Sequence, residues 1–296
     1  MDKPSNDAQP AWTDEDLAAL EAAYRALEHP SFAARATELL GVPLEYGLKK
    51  LPAGWQSKVR KASQSALEYA LEVALKTMDG TPSRHPGLAR KLHKVAVAMT
   101  GTAGGALGFV TLAIELPVTT GIMLRAIADI ARAEGEDLRS PEVRLACVEV
   151  FALGGPRRGD DAAETGYFAV RIALAQQVTK AAEFLVEKGA AEQGAPAVLR
   201  LIARIAQRFS VQVSEKVAAE AVPIVGALGG ATINLVFIDH FQSMARGHFA
   251  VRRLERRYGQ ADVRARYEAL RARPVAKDAS RRATTSRRSG RGSRRT

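Results

Sequence analysis

Two apolar stretches, residues 95–114 and 221–238, carry no charge, are faced with glycine, and run straight into polar groups: Glu115 after the first, Asp239 and His240 after the second. Each approaches the length that crosses or embeds in a bilayer. Both are nevertheless rich in Gly, Ala and Thr rather than in the strongly apolar residues of a spanning helix. On a helix, residues three, four and seven apart share a side. Gly104, Gly108, Thr111 and Glu115 therefore form one strip, and Gly226, Gly230 and Asn234 another. Glycine costs about 1 kcal/mol per helical position relative to alanine, and close approach of a neighbouring backbone is the usual compensation. The pattern predicts that the two segments pack on each other with Glu115 and Asn234 near the contact. Two environments fit it: tight core helices of a soluble bundle, or membrane insertion, hairpin-like or shallow.

The rest of the chain favours helix. Ala, Leu, Glu, Lys and Arg dominate, aromatic content is 6%, and no alternating run of β-branched and aromatic residues bounded by turns is present. The predicted fold is all-α, a single large helical bundle with two glycine-rich central helices. A first helix starts near Thr13 or Asp14 and ends at His29-Pro30, and a short one follows over 31–41. Residues 42–54, with Pro43, Gly47, Pro52 and Gly54, read as a loop. Its Lys49 and Lys50, with Lys58, Arg60 and Lys61, form a basic cluster that is either ordinary solvated surface or a contact for anionic lipid. Further helices fit 55–78 and a segment from about Pro86. Pro117 is expected to kink or restart the chain, with helix resuming over 118–134. Ser140-Pro141-Glu142 starts the next helix, which ends at Gly154-Gly155. Helices then fit 162–188, 197–221, 223–258 and 262–272. Cys147, the one cysteine, lies in an apolar pattern and reads as core; a single thiol excludes an internal disulfide framework and suits a reducing compartment.

The net charge of +11 belongs mostly to one end. Residues 271–296 hold ten Lys or Arg and one Asp, leaving the remainder nearly neutral. Residues 1–12 and 273–296 are expected to be disordered, flanking a helical domain over 13–272. The Arg-rich tail suits an anionic polymer or anionic lipid through phosphate contacts, and its lack of aromatics argues against base stacking. No basic segment followed by an apolar one marks a secretory signal at the start, which points to a cytoplasmic location, free or peripheral on the inner membrane face.

No chemistry-bearing constellation stands out. Thr119, Thr120, Arg125 and Asp129 follow Pro117, and Arg125 and Asp129 are spaced to pair. Farther on, Asn234, Phe241, Ala245, His248 and Arg252 share one helix side, while Asp239, Arg246 and Arg253 share another. Internal ion pairs that fix helix register account for these charges. His240 and His248 stand about 80° apart around a helix, a poor chelating pair, and the Glu-x-x-His motif of helical metal sites is absent. There is no Gly-x-Ser-x-Gly elbow and no Walker-type phosphate loop. No catalytic residue, metal or cofactor is therefore assigned. An enzymatic alternative, hydrolysis by Glu115, Asp239 and His240, requires those three side chains to meet in one accessible cavity. A third alternative is nucleic-acid binding through the tail.

The run from Gly104-Gly105 through Leu116-Pro117-Val118-Thr119-Thr120-Gly121-Ile122-Met123-Leu124-Arg125-Ala126-Ile127-Ala128-Asp129 resembles the EcsC protein family. So do Val148-Glu149-Val150-Phe151-Ala152-Leu153-Gly154-Gly155, Gly226-Ala227-Leu228-Gly229-Gly230-Ala231-Thr232-Ile233-Asn234, and His248-Phe249 with Arg252-Arg253-Leu254-Glu255-Arg256-Arg257-Tyr258-Gly259. The resemblance covers roughly residues 15–270 and leaves the tail outside. It implies an α-helical protein of a family named after a bacterial operon that also encodes the subunits of an ABC transporter. Membrane lipid and ABC transporter subunits are the partners it implies, in a non-catalytic, membrane-associated role accessory to a transporter or envelope process.

Overall fold

In the computed structural model, residues 10–28, 31–77, 108–155, 166–188, 196–222 and 226–272 are described. They form ten α-helices and a 3-10 turn, with no strand among them. The helices are α1 (Asp14–Glu28), α2 (Phe32–Leu40), α3 (Leu44–Leu48), α4 (Trp55–Thr77), α5 (Gly108–Ala133), α6 (Pro141–Glu149), α7 (Tyr167–Lys188), α8 (Pro196–Glu220), α9 (Gly226–Tyr258) and α10 (Gln260–Ala272), with the 3-10 turn Val150–Ala152 after α6. The all-α expectation holds.

Local signals explain most boundaries. The Thr13 hydroxyl accepts from the Asp16 N–H at 3.2 Å and opens α1; that of Ser31 accepts from Ala34 at 3.3 Å and opens α2. Gly135 and Gly259 adopt φ of 80° and 86°, which stops α5 and α9. Two expectations need correction. Residues 42–54 are not all loop: α3 forms within them, because Leu44 and Gly47 bury against α8. Pro117 does not restart the chain; α5 runs through it. The ring removes one backbone donor, but Leu112, Leu116, Met123, Leu124 and Ile127 continue one buried stripe across it, and that packing outweighs the lost bond. The helix begun at Ser140 gives way to the 3-10 turn before Gly154.

Long α9 organises the rest. Arg252 and Arg253 near its end bind Glu136 and Glu134 just beyond the end of α5, each at 2.8 Å. At the other end, Glu115 of α5 and Phe237 of α9 flank the same lysine, Lys216 of α8. Helices α5 and α9 therefore run side by side in the same direction. Helix α1 runs antiparallel to α9; a Cβ at Gly247 would stand 2.7 Å from Leu27 and 3.2 Å from the Ala23 carbonyl. Asp16 closes the same contact, accepting from Tyr258 at 2.7 Å and Arg253 at 2.8 Å, and these donors hold its carboxyl down to about 2.

The core between α2, the 3-10 turn, α8 and α9 is aromatic. Phe32, Phe151, Phe209, Phe237 and Phe241 are fully buried, with ring centroids 5.1–6.2 Å apart. Burying each ring contributes roughly 1.5–3 kcal/mol, before the specific ring–ring attraction.

Candidate functional site

The densest unusual chemistry sits where α5, α8 and α9 meet. Lys216 is fully buried, with Nζ 2.9 Å from Glu115 and 2.8 Å from Glu220, and 5.9 Å from the Phe237 ring centroid. Burial alone would push this ammonium down; the Glu220 and Glu115 carboxylates outweigh it and hold its pKa above the ordinary lysine value. Burial also raises the Glu220 carboxyl. Close in sequence to these groups but turned away from them around their helices, Ile114 is 70% exposed and Leu235 67% exposed. Thr119 and Thr120 are buried one turn on from Glu115.

The glycines divide. Gly104 and most of the first glycine-faced segment lie outside the described residues, and for Gly108 and Gly226 only the helical backbone is described. Gly230 has no described residue within 4 Å of where its Cβ would stand, so close helix approach among the described residues does not explain it. Such approach occurs at Gly47 instead, where a Cβ would lie 1.8 Å from the Ala218 carbonyl oxygen, and at Gly121, where one would lie 3.0 Å from the Tyr69 ring.

The three groups of the hydrolytic alternative do not converge. Glu115 is held by Lys216; Asp239 is half exposed and bound to Arg35, with Arg246 at 3.7 Å; His240 is 1% exposed among Phe32, Phe241 and Met244, against Gly154. Neither ring nitrogen of His240 finds a hydrogen-bond partner among the described residues, and burial pushes its pKa to about 4, with the Arg35 charge acting in the same direction. None of the three lines the cleft of about 440 Å³ between the end of α1, the start of α7 and α10, whose floor holds Glu28, Tyr167, Phe168 and Tyr267. Arg125 and Asp129 do not form the expected pair: Asp129 binds Arg132 at 2.7 Å, since three residues on brings the guanidinium over the carboxylate.

His248 and Arg252 belong to a second buried network. Tyr167 shares a 3.0 Å hydrogen bond with His248 Nδ1, Arg252 binds Glu136, and Arg171 grips Glu255 at 2.7 and 3.0 Å. Glu149 lies in the field of the two arginines, and its burial pushes it up to about 7. Cys147 is buried, and burial pushes its thiol up to about 12, far from a nucleophilic thiolate. Among the described residues no group of three or more His, Cys, Asp or Glu is placed to hold a metal ion. Both networks tie helices together through buried ion pairs and hydrogen bonds, and Tyr167 of the second also lines the cleft. Sequence reasoning missed Lys216, Glu220, Glu149, Tyr167 and Arg171. Only the Lys216–Glu220 spacing of four was visible; Glu115 lies 101 positions from its partner.

A family model of the EcsC protein family matches residues 16–254, most of the chain. The chain belongs to that family. Comparison with curated proteins and with solved structures gives no match.

Proposed function

We propose that this EcsC-family chain is a non-catalytic helical protein that docks peripherally on a membrane, at its inner face, and supports a transporter or envelope process there. One observation carries this reading: close in sequence to the residues that surround Lys216, α5 exposes Ile114 and α9 exposes Leu235, 70% and 67% accessible. Large aliphatic side chains this exposed, as Ile172 and Val186 of α7 also are, suit an apolar environment. No helix among the described residues is long and apolar enough to cross a membrane, so the proposed contact is with the interface. The link to ABC transporter subunits rests on the family resemblance alone. Flotation of the full chain with neutral-lipid vesicles in high salt tests the reading. Salt-resistant flotation is expected; a chain left at the bottom of the gradient contradicts it.

A further inference from the structure

We infer that α3 and the loop to α4 form a basic shelf that selects anionic bilayers, a deepening that rests on the membrane reading above. The shelf begins at Gly47. Its missing side chain lets α3 press against the last turns of α8, within contact of the Ala218 carbonyl. Ala218 lies between Lys216 and Glu220, so the shelf is pinned to the same end of the bundle as Ile114 and Leu235. With Gly47 buried, its neighbours Tyr46 and Leu48 are left 46% and 38% exposed.

Four exposed cations follow in the chain: Lys49 and Lys50 directly after α3, and Arg60 and Lys61 on the opening turns of α4. None of the four forms an ion pair with a described residue, whereas the arginines at the opposite end of the bundle, Arg252, Arg253, Arg256 and Arg257, are all bound to Asp16, Glu134 or Glu136. Lys50 places its ammonium 5.4 Å above the Tyr46 ring, so the stem and ring cover each other and the charge is presented outward.

The chemistry favours lipid as the occupant. Lysine is depleted from protein–protein interfaces. Lysines flanking a short apolar insertion instead match a headgroup layer, where each contributes about fivefold in partition through the negative surface potential. A surface of this kind attracts an anionic bilayer by charge while Tyr46 and Leu48, with Ile114 and Leu235 at the same end of the bundle, reach the acyl boundary.

The test compares the full chain with Lys49→Glu/Lys50→Glu/Lys61→Glu on vesicles of phosphatidylcholine alone and of phosphatidylcholine with phosphatidylserine, across a range of salt. The parent is expected to prefer the anionic vesicles at low salt; the variant is expected to lose roughly tenfold or more of that affinity, with a shallower salt dependence, and to keep its salt-resistant binding to neutral vesicles. Unchanged affinity and salt dependence in the variant would overturn the shelf. Failure of both proteins on neutral vesicles in high salt would instead count against the apolar contact proposed above, leaving the shelf to be judged on the anionic arm. Location gives an independent readout. Because Cys147 is buried, a polarity-sensitive dye attached at Ala53→Cys reports on the shelf, and one at Ala265→Cys on the far end, on α10. A blue shift at 53 but not at 265 is expected on anionic vesicles; an equal shift at both, or one at 265 alone, contradicts the placement. Loss of DNA-duplex binding in the charge-reversal variant with vesicle binding intact would assign the shelf to nucleic acid and overturn the proposal.

Discussion

The Lys216 ammonium lies 2.9 Å from the Glu115 carboxylate, a buried ion pair joining helices separated by 101 positions in the chain. Breaking it leaves a carboxylate inside the bundle without its counter-charge. Lys216→Met is expected to cost about 3–5 kcal/mol in urea unfolding, and Lys216→Met/Glu115→Gln to recover part of that loss. Equal costs for the single and double variants would show that the pair is not coupled.

Opposite behaviour is expected of two glycines. Gly47→Ala drives a methyl into the Ala218 carbonyl, which only a backbone shift relieves, and is expected to destabilise by about 1–3 kcal/mol. Gly230→Ala meets no described residue within 4 Å and is expected to be neutral or stabilising by up to about 1 kcal/mol, the helix-propensity difference. Thermal unfolding of both variants checks the contrast in sign.

Two buried groups predict pH effects of opposite sign. His240 titrates near 4 in the folded chain against an ordinary 6.5, so between these values the unfolded chain binds the extra proton and stability falls as pH falls. His240→Leu is expected to remove about one proton from that slope and, because it deletes two unsatisfied ring nitrogens, to cost little at neutral pH. Glu149 titrates near 7 against 4.5, so the folded chain holds the extra proton in that window and stability falls as pH rises through it. Glu149→Gln is expected to flatten this limb. Unfolding free energy measured across pH 4 to 8 reads both; unchanged slopes would contradict the assignments.

Helix class and most boundaries were legible because they depend on local chemistry: Thr13 as a cap, Ser140-Pro141 as a start, Gly135 and Gly259 as stops. Tertiary packing overrode local signals at Pro117, where a buried stripe carries α5 through a residue that locally favours a break, and at α3, which needs α8 beside it to exist. The triad of Lys216 between Glu115 and Glu220 was hidden by sequence distance, since Glu115 stands 101 positions from the lysine. Likewise nothing in spacing alone indicates that Glu149 and Tyr167 lie beside the His248 network.

The most direct measurement is vesicle flotation in high salt of the full chain beside Ile114→Asp/Leu235→Asp. Both positions are exposed, so the helical content of the variant is expected to match the parent. Burying the two side chains in the interface is worth roughly 3 kcal/mol together, about a hundredfold in partition. Salt-resistant flotation of the parent, lost in the variant, is the predicted result; a variant that floats as the parent does would contradict membrane contact through the starts of α5 and α9.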